Sequence, residues 1–332
     1  MSTNSYKFDS PLVTSLQTGI QRLQVSDSPL TVEQAIEKVA ELYPSEINHF
    51  DVNFSFQILS SELDAFFSES QARFGRGVRI SYIKHAIMTE VFIRIPATHT
   101  IICAEGIRIM LENIFIDAFP KKGFYQLLEG LGCALFEVTI PTGEHKGKQP
   151  DASFYPPKRT FIEIPSVVVQ VGATKYAGQH ALVVKDWFDH NFNTLSVFYI
   201  EFDVEDETGL VKHWVQSPSE SCGQVLMNWR IEFGEGMGDP QYEELAQRMN
   251  LSARHFYHSP ESLEVAGRQC GLKLPEELPR CFGGDHDTQL AVKPEHVKRL
   301  VSHILRCLCQ TQELPRYPDS DDVVEDLIEG GD

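Results

Sequence analysis

One stretch, residues 134–204, limits the possible folds of this chain more than any other. Residues 135–140 and 166–171 are rich in β-branched and apolar side chains, and the second segment is the nearly continuous apolar run of a strand covered on both faces. Apolar residues then recur near helical spacing over residues 177–192, and residues 196–202 again have the pattern of a strand. A strand, a helix and a strand in succession predict a right-handed crossover within a partly parallel sheet.

Two polar side chains lie beside or within these apolar strands. The turn-forming segment 141–148 reverses the chain, which returns as a short strand over residues 151–154, with Asp151 at its start. Gln170 interrupts the apolar sequence VVVQV, where a buried polar group needs a partner. If the two strands are neighbours, both side chains project into one cleft, and this pair of oxygen donors suits a hard cation such as Mg²⁺ or Mn²⁺.

These segments resemble the PD-(D/E)XK nuclease-like superfamily, which has the restriction-endonuclease fold, and especially a branch of uncharacterised fungal proteins. The matching text, in order, is KQPDASF, VVVQVG, LVVKDWF and VFYIEFD, and the resemblance covers about residues 92–204. It implies an α/β core over residues 76–233, with a mixed central sheet flanked by helices. An N-terminal helical cap over residues 1–75, a C-terminal helical region over 234–314 and an acidic tail over 315–332 complete the expected organisation.

The resemblance also implies roles for individual residues. In that superfamily an Asp and a Glu ligate Mg²⁺, and a Lys two residues after the Glu steadies the attacking water or the scissile phosphate. The Asp corresponds to Asp151, the Glu to Gln170 and the Lys to Gly172. Gln170 keeps a carbonyl oxygen but loses the negative charge, which weakens its hold on Mg²⁺. The missing lysine is either replaced by Lys175 or Lys185, or these two are ordinary surface lysines.

Four further carboxylates are weighed for the metal site. Glu105, with Glu112 behind it, lies on a helix predicted over residues 98–119. The superfamily often has an acidic residue on such a helix, and the alternative is an ordinary carboxylate on a helix face. Glu137 is either an outward-facing strand residue or a third ligand, and Glu163 substitutes for the missing acid only if the strand register is shifted.

A zinc site is suggested by His303, Cys307 and Cys309, which lie on a helix predicted over residues 294–309. Structural zinc needs four ligands, however, and the chain has no CxxC pair to supply the others. We therefore prefer buried thiols and a hydrogen-bonded histidine.

The N-terminal cap is predicted to contain two helices. Thr31 has the features of an N-cap, and an apolar stripe follows it up to residue 42, before Tyr43-Pro44 ends the helix. A second helix is predicted over residues 56–67. We expect both helices to pack on the sheet, and the alternative is a groove that binds a partner.

The net charge of -18 bears on the partner. A strongly acidic chain repels nucleic acid unless its basic residues are focused in one cleft, so a protein partner is the alternative. No apolar run is long enough to span a membrane. The polar start and the seven scattered cysteines predict an intracellular protein, cytoplasmic or nuclear, with reduced thiols.

Three functions are consistent with these observations. The first is a Mg²⁺-dependent nuclease in which Asp151, Gln170 and a migrated lysine hydrolyse phosphodiester bonds. The second, which the changes at residues 170 and 172 favour, is an interaction or regulatory module that keeps the fold and has weak or no nuclease activity. The third is an unrelated α/β enzyme or scaffold. This last hypothesis fails if Asp151 and Gln170 lie on adjacent strands with the helix that begins near Ala177 crossing behind them.

Overall fold

The structure, a computed structural model, describes residues 23–24, 28–43, 51–96, 98–118, 129–130, 136–139, 145–155, 165–173, 184–188, 194–203, 208–216, 225–234, 237–252, 255–257 and 289–312. These residues form a mixed α/β protein with two six-stranded sheets and a small two-stranded sheet, so the predicted α/β class is confirmed. Among the described helices, none is both long and apolar enough to cross a lipid bilayer.

The strands are numbered along the chain. They are β1 (Leu23–Gln24), β2 (Val52–Leu59), β3 (Arg79–Lys84), β4 (Met88–Ile95), β5 (Glu129–Gly130), β6 (Phe136–Thr139), β7 (His145–Lys148), β8 (Ala152–Tyr155), β9 (Val167–Ala173), β10 (Ser196–Asp203), β11 (Thr208–Gln216), β12 (Val225–Phe233), β13 (Leu251–Ser252) and β14 (Gln289–Leu290). The helices are α1 (Val32–Leu42), α2 (Leu63–Phe74), α3 (Thr98–Ala118), α4 (residues 184–188), α5 (Asp239–Arg248) and α6 (Pro294–Gln312).

The first sheet has the strand order β1-β2-β4-β3-β7-β6, and its neighbours are antiparallel except for β1 and β2. The second sheet has the order β12-β11-β10-β9-β8-β5. Within it β9 and β10 are parallel, as the strand–helix–strand pattern predicts, and the other neighbours are antiparallel. The smallest sheet pairs β13 with β14.

Helices cover these sheets in three places. Helices α1 and α2 pack on the first sheet through an apolar core that includes Ile36, Phe56 and Phe66. Helices α3, α5 and α6 pack on the face of the second sheet that presents Val167, Val169 and Val171. Helix α4 packs on the opposite face, where Trp187 contacts the cluster containing Val168 and Tyr199, because alternate residues of a strand point to opposite faces.

Two expectations about the architecture are corrected. The helix predicted over residues 56–67 begins only at Leu63, because residues 52–59 form β2. Phe54, Phe56 and Ile58 alternate in that segment and are all buried, which is the period of a strand. The described residues also form two large sheets rather than one central sheet, and the first joins strands from residues 23–95 to β6 and β7.

The chain passes from one sheet to the other over three residues, Gln149, Pro150 and Asp151. Pro150 has no N–H to donate to a strand ladder, so it ends the pairing of β7. The Gln149 side chain accepts a hydrogen bond from the Ile80 amide at 2.6 Å, which ties the link to the first sheet. The Asp151 amide donates to the Val169 carbonyl at 3.1 Å, so Asp151 already belongs to the second sheet.

Candidate cation site at the junction of the sheets

Asp151 and Gln170 lie side by side. Strands β8 and β9 are antiparallel with Ala152 opposite Val169, which brings the residue before Ala152 next to Gln170. Gln170 Nε2 donates to Asp151 Oδ2 at 2.9 Å, and the Val171 amide donates to the same oxygen at 2.8 Å. The predicted adjacency is therefore confirmed, and both side chains are buried.

The carboxamide of Gln170 presents its nitrogen to Asp151. Its oxygen, Oε1, accepts a hydrogen bond from Trp187 Nε1 at 3.4 Å. A carboxylate only accepts and an indole only donates, so a flipped amide would lose both contacts. The one Gln170 atom that can ligate a cation therefore faces the indole and not Asp151.

An arginine from the first sheet occupies the cleft. Arg94, on β4, donates from Nη1 to Asp151 Oδ2 at 3.1 Å, from Nε to Asp51 Oδ2 at 2.7 Å and from Nη2 to the Val171 carbonyl at 2.6 Å. Thr100 holds the other oxygen of Asp51 at 3.0 Å. Arg94 thus connects the first sheet to two strands of the second.

A second arginine lies beside the first. Arg79, on β3, is directly opposite Arg94 in the antiparallel register, and its Nε is 3.6 Å from Asp151 Oδ1. The Arg79 and Asp151 side chains are 5% and 0% exposed. The charges of Arg79 and Arg94 offset the cost of burying the Asp151 side chain.

The same carboxylates control the protonation of Arg94. Burial alone lowers the pKa of Arg94, but the charges of Asp151 and Asp51 outweigh it, so the pKa is raised above its ordinary value. Arg94 therefore carries its charge at neutral pH.

Two lysines of the first sheet contact α4, which carries Asp186 and Trp187. Lys146 and Lys148 alternate on β7, and their Nζ atoms lie 3.2 and 3.6 Å from Asp186 Oδ2. Lys148 Nζ also lies 4.7 Å from the centre of the Trp187 ring, which is a cation–π contact. Burial raises the pKa of Asp186, yet Lys148 and Lys146 outweigh it and the pKa lies below the ordinary value.

The remaining predicted residues lie elsewhere or outside the described residues. Lys175 and Glu163 fall outside them, and Lys185 lies half-buried on α4. Glu105 and Glu112 each form an ion pair with Arg108, and all three residues lie on α3. Glu137 is on β6 of the first sheet, opposite Gly147.

The proposed zinc residues lie on α6. The Nε2 atom of His303 is 2.9 Å from the Ile102 carbonyl, so this histidine has a hydrogen-bond partner on α3. Cys307 and Cys309 continue the same helix.

Sequence reasoning missed Arg94, Arg79 and Asp51, because they are distant in sequence from both Asp151 and Gln170. It also assigned no role to Lys148 and Asp186, although both lie within the quoted segments KQPDASF and LVVKDWF. A further missed residue, Glu201, also had a signal in the sequence. Glu201 interrupts VFYIEFD as Gln170 interrupts VVVQV, and it lies opposite Gly172 in the parallel register. It is 4% exposed and accepts from Lys212 Nζ at 2.8 Å.

A cavity of about 560 Å³ opens at the ends of β10, β11 and β12, beside α5. Its carboxylates all have basic partners: Glu201 with Lys212, Glu232 with Arg230, and Glu244 with Arg248. This cavity therefore presents balanced charges rather than an acidic site.

The side chains at the junction do not fit a metal ion as they stand. Asp151 is hydrogen-bonded to Arg94 and Gln170, and Gln170 turns its nitrogen towards it. Across the parts of the chain that the structure describes, no three His, Cys, Asp or Glu side chains are grouped so as to hold a metal. A cation does sit among these oxygens, and it is a guanidinium.

No protein-family model, no curated protein and no solved structure matches this chain.

Proposed function

We propose that the protein is a non-catalytic interaction or regulatory module built on a PD-(D/E)XK-like core, resembling the fungal branch of that superfamily. The contacts of Asp151 carry this proposal. Its carboxylate faces Arg94, Arg79, Gln170 and the Val171 amide. A nuclease of this kind needs the same carboxylate to hold a metal ion that activates water.

The order of elements supports the nuclease-like core. Strand β8, which follows Pro150-Asp151, is antiparallel to β9, which contains Gln170. The helical segment α4 comes next in the described chain, and β10 after it is parallel to β9. This is the order that the resemblance implies. The fold-level part of the proposal rests on this arrangement and on the sequence resemblance.

The chemistry of the substituted positions supports the loss of catalysis. The position of the nuclease lysine is Gly172, which has no side chain, and Glu201 lies beside it with its charge already matched by Lys212. The transition state of phosphodiester hydrolysis is anionic and needs a cation that is free to meet it. Arg94 makes three hydrogen bonds inside the protein, so it does not serve this purpose.

The charge of the chain supports a protein partner rather than nucleic acid. At -18 the protein repels a polyanion, and the basic residues at the junction are matched by Asp51, Asp151 and Asp186. A basic protein surface is the complementary partner. The scattered cysteines support an intracellular setting for this partner.

A cleavage and binding assay tests the proposal. Single- and double-stranded DNA and RNA are incubated with the protein and with Mg²⁺ or Mn²⁺, beside the Asp151→Asn variant. We expect no cleavage above that of the variant, and no binding to duplex DNA at physiological salt. Metal-dependent cleavage that disappears in Asp151→Asn would contradict the proposal.

The alternative is an active Mg²⁺-dependent nuclease with a migrated lysine, and the position of Lys148 favours it. Its ammonium lies over Trp187, whose indole reaches Gln170, so a lysine is connected to the site. If the assay detects cleavage, Lys148→Met should abolish it. Lys175→Met and Lys185→Met, the two lysines that the sequence suggests, serve as the comparison.

A further inference from the structure

Three oxygens from separate parts of the chain surround the Arg94 guanidinium. They are Asp51 Oδ2 at 2.7 Å, Asp151 Oδ2 at 3.1 Å and the Val171 carbonyl oxygen at 2.6 Å. Two carboxylates and a main-chain carbonyl are the hard donors that Mg²⁺, Mn²⁺ and Ca²⁺ select in proteins. The donor set is thus that of a divalent cation, although a guanidinium fills it.

The charges at this cage also match those of a divalent ion. Asp51 and Asp151 bring two negative charges, and Arg94 and Arg79 bring two positive ones. One Asp151 oxygen, Oδ1, accepts no hydrogen bond from the described residues although the side chain is fully buried. A buried acceptor without a donor is expensive unless a cation lies near it, and Arg79 Nε lies 3.6 Å away.

The position of the cage explains what the cation does there. Asp51, Arg79 and Arg94 belong to the first sheet or to the residue before β2, while Asp151 and Val171 belong to the second. Removing the Arg94 guanidinium would leave Asp51 and Asp151 without the cation that both of them contact. The guanidinium therefore links the first sheet to the second.

We propose that Arg94 is the resident cation of this junction, and that its guanidinium takes the place of a divalent metal ion among the oxygens of Asp51, Asp151 and Val171. This inference rests on the proposed function. If the protein does not cleave nucleic acid, the inference says which group lies at Asp151 in place of a catalytic metal ion. It predicts a latent cation site, closed in the natural protein and opened when Arg94 is shortened.

The test is the melting temperature of full-length Arg94→Ala with millimolar Mn²⁺ or low, non-denaturing guanidinium. We expect Arg94→Ala to melt several degrees below the natural protein, and either cation to recover much of the loss, because a ligand that binds only the folded state stabilises it. The natural protein should not respond to Mn²⁺ in this way. Arg94→Ala/Asp151→Asn should not respond either, because its cage has lost a charge.

Arg248→Ala is the matched control. It also frees a carboxylate, Glu244, but at the surface and within one helix, so Mn²⁺ should not raise its melting temperature. An equal response of Arg248→Ala and Arg94→Ala would overturn the inference. So would rescue of Arg94→Ala by guanidinium without rescue by Mn²⁺, because the cage would then accept only a planar cation.

Two outcomes separate this inference from the proposed function. Suppose that neither Mn²⁺ nor guanidinium raises the melting temperature of Arg94→Ala, and that the natural protein neither binds Mn²⁺ nor cleaves nucleic acid. The inference then fails and the proposed function stands. If Mn²⁺ raises the melting temperature of the natural protein but not that of Asp151→Asn, the inference and the proposed function both fail. Should Arg94→Ala not fold alone, we expect it to be recovered by refolding in Mn²⁺ or guanidinium, and no recovery in either cation would overturn the inference.

Discussion

At the scale of single residues, Gln170 shows how one side chain satisfies two buried polar groups at the junction. An amide between Asp151 and Trp187 donates to one and accepts from the other, so it satisfies both buried groups. A carboxylate at this position would accept only, and it would face the carboxylate of Asp151. Gln170 is therefore compatible with a site in which the cation is Arg94, which also bonds Asp51 and the Val171 carbonyl.

Restoring the acid should accordingly destabilise the protein. In Gln170→Glu two carboxylates lie close together, and at an effective dielectric constant of about 20 two charges about 4 Å apart repel by about 4 kcal/mol, which Arg94 and Arg79 partly offset. We expect urea unfolding at neutral pH to give a lower free energy of unfolding for Gln170→Glu than for Gln170→Met. The Met variant loses the same amide without adding charge. A Gln170→Glu variant as stable as the natural protein would contradict this reading of the site.

The buried residue His213 should make stability depend on pH. Its ring is fully buried, with Nε2 2.6 Å from Ser196 Oγ and Nδ1 3.1 Å from the Asn228 amide nitrogen. Burial and the neighbouring His255 hold the pKa of His213 well below its ordinary value. The folded protein therefore keeps this ring neutral where the unfolded chain is already protonated.

The sign of this effect follows from proton binding. Below about pH 6.5 the unfolded state binds a proton that the folded state refuses, so the free energy of unfolding falls as the pH falls, by at most about 1.4 kcal/mol per pH unit for this histidine. The loss ends when the pH passes the folded-state pKa. His213→Gln should flatten the dependence measured by urea unfolding between pH 7 and 5, and His145→Gln, at an exposed position on β7, should not. Equal slopes for His213→Gln and the natural protein would contradict this assignment.

At the scale of elements, local patterns predicted much of the second sheet. The strand–helix–strand pattern predicts β9 and β10 as parallel neighbours, which the structure confirms. Such elements follow from apolar period and turn residues, which are local properties. The prediction of a helix over residues 56–67 was wrong at its start. Phe54, Phe56 and Ile58 are buried at every second position, which is the period of a strand and not of a helix.

The N-cap of α1 is a local prediction that the structure confirms. Thr31 accepts a hydrogen bond from the Gln34 amide at 3.3 Å, and Gln34 Oε1 accepts from the Thr31 amide at 3.0 Å. Thr31→Ala should lower the free energy of unfolding by about 1 kcal/mol, because an N–H at the helix start loses its acceptor. Thr31→Ser keeps the hydroxyl and is the control. Equal denaturation midpoints for the two variants would show that this cap does not stabilise the helix.

At the scale of the whole molecule, the sequence could not predict that Asp151, one of the two candidate ligands, contacts arginines of the first sheet. Asp151 and Gln170 are 19 positions apart and were predicted as neighbours from adjacent strands. Arg94 is 57 positions before Asp151, and its contact depends on how two sheets pack, which no local period encodes. Pro150 was the available signal, since a proline between two short strands favours a break in pairing.

The junction also explains how an acidic chain tolerates a cluster of basic residues. Arg79, Arg94, Lys146 and Lys148 converge there, and the acidic partners Asp51, Asp151 and Asp186 nearly balance them. Their net effect is to join the sheets rather than to create a surface for phosphates.

Binding of Mn²⁺ to the natural protein, followed by the electron paramagnetic resonance signal of the free ion, tests most directly whether arginine has replaced the metal. Carboxylates elsewhere, including those of residues 315–332, bind Mn²⁺ weakly in any variant, so the informative quantity is the difference between the natural protein and Asp151→Asn. We predict the same fraction of free Mn²⁺ with both proteins at every ratio of ion to protein. A tight site of one ion per chain that is present in the natural protein and lost in Asp151→Asn would contradict this account.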